Sequence, residues 1–238
     1  VLATAISTSL LPVLRNHVVH HEQKEFVNDF QMMFRLSLIL SGVATCGLMA
    51  VMPVINQVLF STREGSHALI VFVLTVIPAT LILIGTSVLQ SLNKTRGISW
   101  LIILTMVIKY GLNIWLVPKY GIIGASWATM LSLLPMLYIV MHRLPKTVWQ
   151  QWHAPYWWLK FMITLLGVLV SAGGWCKISD IFIGSSRLAS LIILIIAILI
   201  GIIVFIIMLW RLRLLSVAEW YALPKGYKIY NFLERRNK

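Results

Sequence analysis

Acidic residues are scarce in this chain, and none of them falls inside a long apolar run. The 238 residues include 7 Asp and Glu but 20 Lys and Arg, which gives a formal charge of +13. A charged group near the centre of a bilayer costs about 2.5–3.5 kcal/mol, so an apolar run that must cross a membrane excludes charge. The charges instead separate six runs long enough, or nearly long enough, to span: Leu36–Gln57, Ala68–Leu92, Ile98–Val117, Ile122–Met141, Phe161–Cys176 and Leu188–Trp210. With 59% hydrophobic residues, this pattern predicts an all-α polytopic membrane protein.

The chain also lacks the residue combinations that mark enzymes and metal sites. Its two cysteines, Cys46 and Cys176, lie in apolar runs, where a free thiol behaves as a small hydrophobe. His17, His20 and His21 cluster without an acidic or cysteine partner at ligand spacing. No HExxH, phosphate loop, nucleophile elbow or pair of intramembrane carboxylates is present. We therefore expect neither enzymatic activity nor a bound metal or cofactor.

The distribution of basic residues predicts the orientation of the spans. Fifteen of the Lys and Arg residues lie in alternate gaps, four lie in the other gaps, and one lies within a span. Basic residues accumulate in cytoplasmic loops, so the richer gaps and the C-terminal tail are predicted to be cytoplasmic. This bias explains the positive charge without nucleic acid, and the basic tail at 211–238 is expected to lie against anionic lipids.

Three regions follow from these runs. Residues 1–143 would form a bundle that begins with part of a helix, Val1–Leu14, too short to span and without the flank of a signal peptide. An amphipathic cytoplasmic helix is predicted at about 20–34, because phenylalanine recurs every four residues there, and four full spans follow. Residues 144–210 would form an interfacial loop and a final helix pair, before the basic tail.

Lys109 is the single Lys or Arg residue that lies inside one of the predicted spans. It lies twelve residues into a run of twenty, too deep for its side chain to reach the nearer interface. Thr105 and Asn113, four residues to either side, share its helical face and form a polar stripe with it. Ionisable groups inside a membrane usually serve function, although a structural lysine bonded to helix carbonyls is the alternative.

Two further features concern helix geometry. Pro78 falls within a span, where it removes a backbone hydrogen bond, and its expected kink serves either gating or packing. The VPKYG segment between the third and fourth runs is so short that these two spans should form a tight hairpin. Small residues follow one face of the KYGIIGASWATMLS segment and favour close helix packing, namely Gly121, Gly124, Ala128 and Ser132.

The segments TAISTSLLPVL, SVLQSLNKTRG and IKYGLNIWLVPKYGIIGASWATMLS resemble the second half of flippases of the multidrug/oligosaccharidyl-lipid/polysaccharide superfamily. The chain is most similar to the branch of stage V sporulation protein B and the MurJ-type lipid II flippases. The resemblance covers most of residues 1–143. The segment 188–238, with its LPKG motif, is similar to the final helix pair of that branch.

This resemblance implies a two-lobed transporter that moves undecaprenyl-pyrophosphate-linked sugars across the bacterial cytoplasmic membrane. The chain would supply the second lobe and the final helix pair of a monomeric protein. Lys109 would meet the pyrophosphate, Asn113 the sugar or diphosphate, and Thr105, Thr4 and Ser7 would line the same cavity. The last two spans would border a groove for the lipid tail.

Two other functions remain open from the sequence. One is a drug or cation antiporter of the same superfamily, although such exporters tend to use intramembrane acids. The other is a membrane scaffold that binds cell-wall proteins without transporting anything.

Overall fold

The computed structural model describes residue 16 and residues 23–145, 155–183 and 187–215, and this part of the chain is helical without strands. Its helices are α1 Gln23–Phe60, α2 Ser66–Val73, α3 Val76–Ser91, α4 Ile98–Arg143, α5 Pro155–Ile183 and α6 Arg187–Arg211. Five stretches are long and apolar enough to cross a membrane: Lys24–Phe60, Ser66–Ser91, Ile98–Arg143, Tyr156–Ser179 and Arg187–Arg211. The prediction of an all-α polytopic membrane protein is therefore confirmed.

Helix α4 is a hairpin of two antiparallel arms. A straight helix of 46 residues would be about 69 Å long, more than twice the thickness of a bilayer core. Instead, the backbone leaves helical geometry at Gly121 (φ 59°, ψ −136°). Arg143, at the end of α4, donates a 3.0 Å hydrogen bond from Nη1 to the carbonyl oxygen of Arg96, which precedes the start of the helix. The third and fourth predicted spans are thus the first arm (98–120) and the second arm (122–143) of this hairpin.

The turn between the arms depends on small residues. The φ of Gly121 lies in the left-handed region, which a residue without Cβ adopts at no steric cost. Three residues later, a Cβ on Gly124 would overlap the carbonyl of Leu116, so the arms approach closely here. Gly124, Ala128 and Ser132 are buried along the second arm, as expected of a small-residue packing face.

The second apolar run is divided near Pro78 into α2 and α3. The interruption lies at Leu74 and Thr75, whose N–H groups donate to carbonyls only three residues earlier, on Val71 and Phe72. Pro78 has no N–H to donate to the Leu74 carbonyl, and its ring crowds that oxygen. The tighter turn therefore falls one helical turn before the proline itself.

Helix α1 contains two elements that were predicted as separate helices, the amphipathic helix and the first full span. The segment with Phe26, Phe30 and Phe34 continues without a break into the first full span, and these side chains are 6%, 0% and 5% exposed. They belong to a core that also contains Trp157 and Leu214, from the beginning of α5 and the segment after α6. The apolar face of the predicted amphipathic helix is therefore covered by protein.

Trp157 is likewise surrounded by protein. Tryptophan near the end of a span commonly anchors in the headgroup region, but Trp157 is only 8% exposed to its surroundings. Its ring stacks on Phe161 at 5.4 Å, and its Nε1 donates to the carbonyl oxygen of Leu214 at 3.3 Å. This residue therefore joins α5 to the segment that follows α6.

The two ends of the bundle differ in charge. At one end lies the core that contains Phe30 and Trp157. Many of its residues are close in sequence to basic residues, namely Lys24, Arg35, Lys94, Arg96, Arg143, Lys160, Arg211 and Arg213. At the other end, Arg187 of α6 donates from Nε to the hydroxyl of Ser61, after α1, and a smaller core joins α1, α5 and α6. We call the first of these the basic end. The residues beside the gaps rich in basic residues therefore share one core, and the cytoplasmic location of that end stays a prediction.

Candidate functional site

Lys109 lies in the middle of the first arm of α4. Eleven residues separate it from Ile98 and twelve from Gly121, so each end of the arm is about 17 Å away. Its side chain is exposed and forms no hydrogen bond or ion pair with any residue that the structure describes. An ammonium group in this position needs water, an anion or another part of the protein to replace its hydration.

The neighbours predicted for Lys109 lie beside it on the same arm. Thr105, half-buried, donates from Oγ1 to the carbonyl oxygen of Leu101 at 2.8 Å, so its hydroxyl is already bonded within the helix. Asn113 is half-buried as well. Along the stripe, the exposed Lys109 therefore lies between two half-buried polar residues, Thr105 and Asn113.

The other predicted site residues do not join this stripe within the described structure. Thr4 and Ser7 lie outside the described residues, as do His17, His20 and His21 and the tail from residue 216. Pro78 is buried in α3. In the described part of the chain, no group of His, Cys, Asp and Glu side chains is arranged to hold a metal ion.

An apolar cavity of about 290 Å³ lies between α1, α5 and α6. Small residues open it: Ala44 and Gly47 on α1, Ala172 on α5, and Ala197 and Gly201 on α6. Longer apolar side chains complete the wall, namely Val43, Leu48, Val51, Ile55, Val168, Ile198, Ile202 and Phe205. A cavity with such a wall suits a hydrocarbon chain and offers nothing to a charged or hydrogen-bonding group.

The family resemblance implied a groove beside the last two spans but not the contribution of α1. The available signal was weak: Ala44 and Gly47 are small residues three positions apart in α1, and Ala197 and Gly201 are four positions apart in α6, each about one helical turn. Small residues at helical spacing usually indicate tight packing. At Gly47 nothing lies within 4 Å of the position a Cβ would take, so this small residue leaves open space.

The lysine stripe and the apolar cavity belong to different helices. The stripe lies on the first arm of α4, and the cavity wall contains no residue of α2, α3 or α4. A molecule that used both would need a charged part and a separate hydrocarbon part.

Comparison with known proteins identifies the family of this chain. The profile of the family described as lipid II flippase MurJ matches residues 1–217. The chain belongs to this family. The match covers the hairpin with the lysine stripe and the three helices around the apolar cavity, so both features lie within the part of the chain shared with the family.

One curated relative is an uncharacterised membrane protein, YabM, from Bacillus subtilis strain 168. It is 29% identical over 250 residues, covering 100% of this chain and 45% of the relative. The chain thus spans less than half the length of the curated relative that it matches. Membership of a flippase family agrees with the expectation of a transporter rather than an enzyme.

Proposed function

We propose that this chain forms the second lobe and final helix pair of a transporter that moves undecaprenyl-pyrophosphate-linked sugars across the bacterial cytoplasmic membrane. The peptidoglycan precursor lipid II is the cargo we favour. The observation that carries this proposal is the separation of a lone intramembrane cation from an apolar cavity within a chain of the lipid II flippase family. Lipid-linked sugars combine an anionic diphosphate with a long hydrocarbon tail, and these two features match the two parts.

In this proposal Lys109 meets the diphosphate during its passage. The ammonium lies about 17 Å from either end of its arm, where a counter-charge arriving with the substrate would be poorly screened by water. Asn113 offers an amide to the sugar or to the diphosphate, while Thr105, already bonded to Leu101, contributes shape. Thr4 and Ser7 are proposed to line the same path.

The lipid tail is proposed to occupy the cavity between α1, α5 and α6. Hydrocarbon in this cavity contacts Ala44, Gly47 and Gly201, where the absence of larger side chains leaves room for a chain. The interruption of the second span near Pro78 supplies a place at which the bundle can bend during alternating access. We place the basic end and the C-terminus in the cytoplasm on the charge bias of the loops.

The test uses the full-length protein, reconstituted in proteoliposomes, with a labelled lipid II analogue as substrate. Lys109→Met and Lys109→Ala are expected to lower the transport rate about ten- to hundredfold, because a hydrogen bond to a charged group contributes about 1.5–3 kcal/mol. Lys109→Arg should retain most of the rate. Lys119→Met, at the turn of the same hairpin, is the matched control and should transport normally.

A second pair of variants tests the tail cavity. Gly47→Leu fills space that is open in the structure and should reduce transport without lowering thermal stability. Gly111→Leu, at an open position on the first arm of α4, adds the same side chain away from the cavity and serves as control. If full-length protein moves no lipid-linked sugar, the flippase proposal fails. If it does so with Lys109→Met and Lys109→Ala unchanged, the role of Lys109 is rejected.

A further inference from the structure

The basic end of the α4 hairpin holds one arginine in a fixed position. Arg143 donates from Nη1 to the carbonyl oxygen of Arg96, and its guanidinium also lies against Gly97. A Cβ on Gly97 would be 3.3 Å from Nη1 and 3.4 Å from Nη2, so the absence of a side chain there permits this approach. The bond leaves most of the five guanidinium N–H donors available to another acceptor.

The loop that carries the neighbouring cations is also well defined. After α3, the N–H of Lys94 donates to the carbonyl of Leu89 at 2.8 Å, and Asn93 adopts a left-handed conformation (φ 56°). This arrangement is a common way to end a helix. Gly97, also left-handed, then begins α4. Lys94 and Arg96 therefore project from a backbone that hydrogen bonds hold in place.

These cations have no carboxylate partner in the described structure. Lys94, Arg96 and Arg143 are exposed, and none forms an ion pair with a described residue. Like charges held close together repel one another, so three cations on one short loop and one helix end favour a bound anion.

The surface beside these cations is apolar. One turn into α4, Trp100 is 74% exposed, and Ile103 and Leu104 are 49% and 45% exposed on the same arm. Exposed tryptophan next to basic side chains is typical of the boundary between headgroups and hydrocarbon. An anion that binds here thus meets cations at one end and an apolar helix surface at the other.

We propose that Lys94, Arg96 and Arg143 bind the phosphate of an anionic phospholipid, whose acyl chains lie along the exposed face of the first arm. Phosphate oxygens accept hydrogen bonds from guanidinium groups, and the attached acyl chains fit the apolar surface that begins at Trp100. This site is distinct from the apolar cavity between α1, α5 and α6 and from the basic tail, and it does not rest on the proposed function.

The experiment measures retention of phosphatidylglycerol and phosphatidylcholine on the purified full-length protein by native mass spectrometry. We expect preferential retention of phosphatidylglycerol. Lys94→Gln, Arg96→Gln and Arg143→Gln should each lower its apparent affinity about fivefold, and the double variant of the two arginines more than tenfold. Arg143→Lys should be weaker than the parent but stronger than Arg143→Gln, because lysine keeps the charge without the planar fork.

Lys119→Gln and Arg63→Gln remove one charge each away from this site, and they should retain phosphatidylglycerol as the parent does. Equal loss in these controls would show that net charge alone attracts lipid and would overturn the proposal. Equal retention of the two phospholipids would do the same. A third result would also overturn it: variants of Lys94, Arg96 and Arg143 that retain phosphatidylglycerol normally but bind a lipid-linked diphosphate less tightly. The three cations would then bind the substrate rather than a phospholipid. Lys94 makes no side-chain hydrogen bond to any described residue, so the Lys94→Gln variant is expected to fold and keeps the test decisive.

Discussion

The two arms of the α4 hairpin have similar lengths and apolar character, but the fold uses them differently. The second arm buries Gly124, Ala128, Ser132, Met136 and Val140 along one stripe. The first arm buries only Leu101 and Leu116 within the described structure, and many of its large apolar residues are exposed. Hydropathy therefore indicates that a segment can enter a membrane, but it does not show whether protein or lipid surrounds that segment.

This difference in burial indicates a separate role for each arm. The second arm packs closely on α3, because Val140 reaches the position that a side chain on Gly85 would fill. The first arm carries Lys109 and the apolar surface next to Arg96, and both are exposed in the described structure. We infer that the second arm stabilises the bundle, while the first arm presents residues to molecules or protein segments outside it.

The strongest test of the comparison exchanges glycine for alanine on each arm. Gly124→Ala places a methyl group onto the backbone carbonyl of Leu116, and backbone yields less readily than a side chain. We expect a loss of about 1–3 kcal/mol or more in the free energy of unfolding. Gly111→Ala, which meets nothing within 4 Å, should be neutral or slightly stabilising. Unfolding of full-length protein in mixed detergent measures both, and equal stability of the two variants would refute the close approach of the arms.

A smaller effect is expected from trimming side chains on each arm. Val140→Ala removes two methyl groups from a fully buried residue and should cost about 1–2 kcal/mol of stability. Met106→Ala on the first arm starts from a side chain that is 65% exposed, and it should change stability by less than about 0.5 kcal/mol. The same unfolding assay applies. A loss at Met106 equal to that at Val140 would show that the first arm is packed as tightly as the second.

The smallest effect concerns the cation near the turn. Lys119 places Nζ 4.7 Å from the centre of the Trp115 ring, an interaction that contributes about 0.5–1 kcal/mol at exposed sites. Lys119→Met should therefore lower stability by up to this amount and reduce the change in Trp115 fluorescence on unfolding. Lys109→Met, whose lysine has no partner in the described structure, should leave stability unchanged or raise it. A larger loss at Lys109 than at Lys119 would indicate a structural role for Lys109.

Particular residues show how far the sequence could be interpreted. The hairpin was predictable because VPKYG is too short for any other connection, and Gly121 supplies the conformation that the reversal needs. The phenylalanine repeat at Phe26, Phe30 and Phe34 correctly predicted one apolar face, but a period gives only the direction of a face. That Trp157 and Leu214 cover this face depends on residues nearly 200 positions apart in the chain, which no local pattern encodes.

The candidate site was also predictable from the sequence only in part. Lys109 was evident from the sequence because a charge deep inside an apolar run is rare whatever its tertiary contacts are. The apolar cavity was only half predicted, because the part lined by α1 exists only once three helices meet.

By itself, the sequence determined that the surroundings are a membrane, which apolar segments are long enough to cross it, and that Lys109 is a charge within one of them. These properties follow from transfer free energies and backbone geometry, which act residue by residue. Only the tertiary structure decided which apolar faces protein covers, where the cavity opens, and that Arg143 lies on the carbonyl of Arg96, 47 positions away. Such contacts depend on how whole helices pack, and packing depends on shapes that distant segments present to one another.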